Sequence, residues 1–202
     1  MSLYTLALFA HILGVLSLFI GMGLQWTATL LLRRSQTLSQ VRLWSSLVRG
    51  AGRLGPVSGV LILAAGIYMM ALSWSLSAPW IMVSLAAMVI MMALGMGVSA
   101  RRLKGIQRAA AADAPTNAIA PALYRQIHHP ALWISTQMAA STALGIVFMM
   151  TTKPGLGGSL LTLAVALALG ALVGAASAGP RQSARAVVIQ EDFGTSTTQA
   201  NY

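Results

Sequence analysis

Cysteine does not occur in this chain of 202 residues, so disulfides, thiolate metal sites and thiol catalysis are excluded. Acidic residues are nearly missing as well: Asp113, Glu191 and Asp192 are the whole complement. Charged residues of both signs make up only 8% of the chain, against ~25% in a soluble domain. With 57% of its residues hydrophobic, a soluble domain of this size could neither hide its apolar side chains nor keep a charged surface. All three carboxylates stand outside the long apolar runs. That argues against a hydrolase with a buried acid or base, and against carboxylate-driven proton transport. An internal repeat, a phosphate-binding glycine loop and a metalloprotease motif are also lacking.

What is present is basic and apolar. Thirteen Lys and Arg residues give a net charge of +10, yet they are gathered between uncharged stretches. That is the pattern of a polytopic membrane protein, not of a nucleic-acid binder. At ~1.5 Å per residue, about twenty residues cross a hydrocarbon core of ~30 Å. Residues 1–32 carry no charged side chain and stop at Arg33-Arg34. The missing basic n-region and the length of this run speak against a cleaved signal peptide. Residues 54–100 are too long for one crossing and break between Ser73 and Trp80, where Pro79 and two tryptophans read as an interfacial turn. A fourth span begins near Pro130, and a fifth follows Lys153-Pro154-Gly155. The predicted architecture is an all-α bundle of five transmembrane helices, about 3–32, 55–74, 79–100, 130–152 and 158–179. They make one domain over residues 1–180, with a polar, partly disordered cytoplasmic tail over 181–202.

The cations predict orientation. Arg33, Arg34, Arg42, Arg49 and Arg53 share one side with Arg101, Arg102, Lys104, Arg108, Arg125, Arg181 and Arg185, while Lys153 stands on the other. The positive-inside rule then puts the N-terminus outside and the C-terminus in the cytoplasm. In the first connection Leu38, Val41, Trp44 and Leu47/Val48 recur at helical spacing. They predict a helix over 36–52, either lying on the cytoplasmic surface or extending a neighbouring span. Residues 100–112 read as a basic continuation of the third span, ended by Asp113-Ala-Pro115, with its arginines meeting anionic headgroups.

Lipid is as apolar as leucine, so membrane helices pack through small and polar residues. Helical spacing gathers His11, Gly14, Leu18, Gly21, Gln25 and Thr29 on one face of the first span. The next spans offer Gly59, Ile62, Gly66 and Met69, then Ser84, Met88, Met91, Gly95 and Ser99. The last two offer Met138, Ser141, Thr142, Gly145 and Met149, then Ala166, Gly170, Gly174 and Ser177. These stripes predict a compact bundle, with Gly170-x-x-x-Gly174 at a close helix contact.

His11 is the one histidine within a span and lies ~12 Å beyond Leu3, in the outer leaflet by the predicted orientation. Met69, Met82 and Met149 fall at similar depth. An ionisable group inside a span is a functional-site candidate by default. Neutral imidazole ligates haem iron with histidine or methionine opposite, which points to haem b with His11 and either Met149 or Met69 as axial ligands. Imidazole and thioethers together would also suit copper, thioethers favouring Cu(I), and a neutral His11 bonded to a neighbouring helix is the plain structural alternative. Lys153 either snorkels to the surface or pairs with an anionic group such as a haem propionate. His128 and His129 stand ~20 Å away at the opposite face and cannot share a haem with His11. They read as interfacial residues, with a second haem or a quinone-site proton relay as the sharper alternative.

The stretch His11-Ile-Leu-Gly14-Val-Leu-Ser-Leu18-Phe-Ile-Gly21 resembles the first-helix signature of a group of small bacterial inner-membrane proteins. That group includes copper-resistance D-type proteins and membrane haem-binding protoporphyrinogen oxidases. With Gly55, Ser58-Gly59, Ala131-Leu-Trp133 and Leu144 to Pro154, the chain is similar over residues 3–155 to the predicted integral membrane proteins placed near them. The resemblance implies a multi-pass inner-membrane location and a haem-ligand role for His11. Leu18 replaces the tryptophan typical of the oxidases, and no lysine occurs in Gly55–Ala100, so haem binding is implied more than porphyrinogen oxidation. The resulting expectation is haem b near the periplasmic leaflet, for electron transfer or redox support of a membrane complex. The alternatives are a cofactor-free structural subunit or assembly factor, and a copper-handling permease-like protein. Partners are the lipid bilayer and other membrane-complex subunits.

Overall fold

The computed structural model describes residues 2–73, 78–111 and 117–178. Within them α1 (Leu3–Arg33), α2 (Leu38–Gly52) and α3 (Leu54–Ser73) are followed by α4 (Pro79–Met92), a π-helical segment (Ala93–Ser99) and α5 (Ala100–Ala111). Then come α6 (Pro121–Ile127), α7 (Pro130–Thr152) and α8 (Leu156–Ala178). The described residues contain five helices long and apolar enough to cross a membrane. Three of them are composites: α2 runs into α3 with a break at Arg53, α4 into α5 through the π-helical segment, and α6 into α7 across His128-His129. The 181–202 tail, Asp113 with Pro115, and most of the Ser73–Trp80 turn lie outside the described residues.

Local chemistry accounts for the helix ends. Ser2 caps α1, its hydroxyl accepting from the Thr5 N–H at 3.2 Å. Proline occupies the first turn of α4, α6 and α7, where its missing N–H costs nothing. Lys153 ends α7 in the left-handed region with φ 49°, its N–H bonded to the Met149 carbonyl at 2.9 Å.

The helices form two groups. In one, α1 packs along α3 and carries α2; in the other, α4 and the π-helical segment pack on α7, and α7 lies along α8. Small residues set both close approaches. On α1, Gly14 faces Ile62 and Gly21 faces Leu54. On α8, Gly170 lies against the backbone of Gln137 and Met138, and Gly174 against Ile134, as the Gly-x-x-x-Gly spacing leads one to expect. An apolar cluster of Leu32, Val41, Val48, Ile106, Ile127, Leu132 and neighbours joins the groups at the basic end. At the far end Met149 packs with Val83 and Ala87 inside the second group alone. The groups are thus pinned at one end and spaced apart above it.

Two sequence expectations change in detail. The 36–52 helix exists, but it packs on α1 and α5 and buries Leu38, Val41, Ser45, Val48 and Ala51, while Leu47 is exposed. It extends the second span into the bundle instead of lying free on a surface. Its polar rim is tied down as well, by Arg42 Nε donating to the Ala110 carbonyl at 2.8 Å and Gln107 Nε2 to that of Ser45 at 2.7 Å. Likewise α5 buries Leu103, Ile106 and Ala110 against α2 and α6, so only part of its basic circumference is free to meet headgroups.

Candidate functional site

His11 sits on the face of α1 that meets α3. Its Nδ1 lies 3.0 Å from the Ile62 carbonyl, and a methyl built on Gly66 would stand 3.4 Å from both Nδ1 and Cε1. Glycine at 66 therefore leaves the ring room beside the α3 backbone. A carbonyl oxygen only accepts, so Nδ1 carries the hydrogen in this bond. In the neutral ring Nε2 then keeps its lone pair, and it has no hydrogen-bond partner among the described residues.

The half-buried ring lines a cavity of about 200 Å³ between the two helix groups. Its walls are apolar except for His11 and Thr151, and three of them are thioethers: Met88 and Met91 from α4, Met150 from α7. Met88 is buried, with its methyl in contact range of Gly59. Among the described residues no three histidine, aspartate or glutamate side chains cluster, so a hard-donor metal cage is not formed there. The cavity wall thus brings together one imidazole and three methionine side chains.

The methionines singled out from sequence are not these. Met149 is fully buried in the other direction, with the Ser84 hydroxyl 4.0 Å from its sulfur, and it does not line the His11 cavity. Met69 lies one turn beyond Gly66 and is likewise not part of the cavity wall. Met82 is exposed. One residue on a helix is 100° of rotation, so Met150 lines the cavity while its neighbour Met149 is turned away from it. Met88 and Met91 were legible as members of the inward stripe of their span; Met150 carried no such signal. Lys153 caps α7 and is not a cavity residue.

The other two histidines are engaged in chain geometry. His128 Nε2 lies 3.0 Å from the Arg33 carbonyl and Nδ1 3.0 Å from that of Tyr124, and its ring stacks on Tyr124 at 4.0 Å between centroids. His129 caps α7, its Nδ1 accepting from the Ala131 N–H at 3.2 Å. Both serve the α6–α7 corner.

A second and larger cleft, of about 1210 Å³, continues from the His11 cavity toward the basic end; Leu18, Phe19, Met88 and Met91 line both. The small cavity alone lies below the ~300–1,000 Å³ of typical small-molecule sites, and the larger cleft reaches beyond that range. Trp26 Nε1 donates across the cleft to Gln137 Oε1 at 2.8 Å, and the buried Ser99 and Ser135 hydroxyls meet at 2.9 Å, tying the π-helical segment to α7.

Residues 5–154 match the model of a family described as "Predicted integral membrane protein (DUF2269)", which spans α1 to the end of α7 and takes in His11 and all three cavity methionines. No curated protein and no solved structure matches the chain.

Proposed function

The chain belongs to the DUF2269 family of predicted integral membrane proteins, and in that membrane setting we propose that it binds copper(I) through the His11 imidazole and the thioethers of Met88, Met91 and Met150. The observation that carries this reading is the hydrogen bond from His11 Nδ1 to the Ile62 carbonyl, beside an apolar cavity whose wall includes three methionines. Anchoring one ring nitrogen on a carbonyl is how proteins orient an imidazole ligand, and it presents the other nitrogen to the metal. Thioethers favour Cu(I) over harder ions. A univalent ion also suits a site among apolar walls, where each added charge raises the desolvation cost. The role that follows is copper handling within the bilayer, not independent catalysis.

The test is retention of copper. Detergent-purified protein, loaded anaerobically with Cu(I) and desalted against a Cu(I) chelator, is expected to keep stoichiometric metal by elemental analysis. His11→Ala and the volume-conserving Met88→Leu should each lose it while the helical far-ultraviolet spectrum stays unchanged. Equal retention in wild type and both variants sinks the proposal.

A second reading, haem b serving electron transfer or redox support of a membrane complex, draws on the continuity of the two cavities through Met88 and Met91. The residues that would hold the haem are His11 with Met88 or Met91, in place of Met149 or Met69, and the group would supply one-electron chemistry. A Soret band that shifts or vanishes in His11→Ala supports haem and displaces copper. A preparation with neither signal refutes both, and leaves His11 as a packing residue between α1 and α3.

A further inference from the structure

We propose that the larger cleft is a binding site for one anionic phospholipid, with the phosphate at its basic mouth and the acyl chains along the seam between α3 and α4. This cleft shares Met88 and Met91 with the His11 cavity, but the lipid reading does not rest on a metal being held there. Four cations from two elements, Arg49 and Arg53 on one side and Lys104 and Arg108 on the other, line the mouth, and all four are exposed. Arg49 is steadied by Gln107, itself a lining residue. A basic pocket between transmembrane helices is the setting in which acidic lipid headgroups are held.

Beyond the mouth the walls turn apolar, which selects an amphiphile over a free anion. Met88 to Lys104 spans ~24 Å at 1.5 Å per residue, close to one leaflet with its headgroup layer. The volume of about 1210 Å³ exceeds what drug-sized ligands fill. The cleft also opens sideways: Val60 on α3 and Leu144 on α7 line it yet are 68% and 61% exposed, so a lipid enters from the bilayer without crossing water. Gly95 in the π-helical segment leaves open space, a methyl there meeting nothing within 4 Å. The wider π geometry, a frequent companion of functional sites, lies along this wall.

The full chain is reconstituted in nanodiscs of phosphatidylcholine with a minority of phosphatidylglycerol, re-extracted in mild detergent and examined by native mass spectrometry. The expected result is one retained phosphatidylglycerol per chain. Removing Arg53, Lys104 and Arg108 together (each to Gln) should weaken retention about five-fold per cation, on the order of a hundred-fold in all. Gly95→Leu, which fills the cleft without touching the charges, should lose the lipid too, and so guards against a purely electrostatic effect or a folding failure in the triple variant. Arg34→Gln with Arg125→Gln, cations at the same end but outside the cleft, should leave it bound. Retention of phosphatidylcholine as readily as phosphatidylglycerol overturns the proposal. So does equal loss in the Arg34/Arg125 control, displacement by inorganic phosphate alone, or stoichiometric haem in place of lipid.

Discussion

Replacing Gly170 by alanine tests the packing that holds α7 to α8. A methyl at this position would stand 2.6 Å from the Met138 Cα and 2.9 Å from the Gln137 carbonyl oxygen, with the Ser141 hydroxyl closer still. Carbon atoms rest at ~3.5–4.0 Å, so α8 must retreat by about 1 Å. A retreat of that size forfeits up to about half of each dispersion contact along the seam. The loss is not local, because Gly145 opposite Ala166 and Gly174 opposite Ile134 sit at the same close spacing. Overpacking of this kind costs ~1–3 kcal/mol, and backbone neighbours that cannot rotate aside put it at the upper end. Alanine's better helix propensity returns ~1 kcal/mol, leaving a net loss of about 2 kcal/mol. The assay is reversible unfolding of the purified protein in mixed micelles, followed by tryptophan fluorescence. Trp133 reports directly, since its Nε1 donates to the α8 residue Ser177 at 2.6 Å. Gly23→Ala is the matched control: a methyl there meets nothing within 4 Å, and the change should be neutral or stabilising. If both variants unfold alike, close backbone contact at Gly170 does not hold the bundle together.

Gly66→Ala should preserve the His11 site and Gly66→Leu should abolish cofactor retention, because the ring lies in contact range of that position and a branched side chain would displace it. Elemental analysis beside far-ultraviolet circular dichroism separates loss of the site from loss of fold. Ser135 donates to the Leu132 carbonyl at 3.1 Å, so Ser99 is the donor of the 2.9 Å bond between the two hydroxyls. Ser99→Ala should therefore cost ~0.6 kcal/mol. Ser135→Ala strands a buried hydroxyl and should cost ~1–3 kcal/mol, which the same unfolding assay would resolve. At Lys153, with its φ of 49°, glycine should raise stability by up to ~1 kcal/mol and valine lower it by ~1–2 kcal/mol. The reverse order would show that the side chain's own contacts outweigh the backbone strain.

Hydropathy and charge, summed along the chain, determined five helices long and apolar enough to cross a bilayer, small residues on their packing faces, and a histidine within the first of them. These properties follow from axial rise and local composition, and the apolar runs ending at Arg33, Ser73 and Lys153 mark them without reference to any neighbour. Tertiary structure alone decided azimuth: Met150 and not Met149 beside His11, α2 folded into the bundle, and a cleft above the apolar cluster that pins the two helix groups. Rotation about a helix axis is set by which small residues meet which backbone, as Gly14 meets Ile62 and Gly170 meets Met138. At 100° per residue, an error of a single position reverses what a side chain can touch.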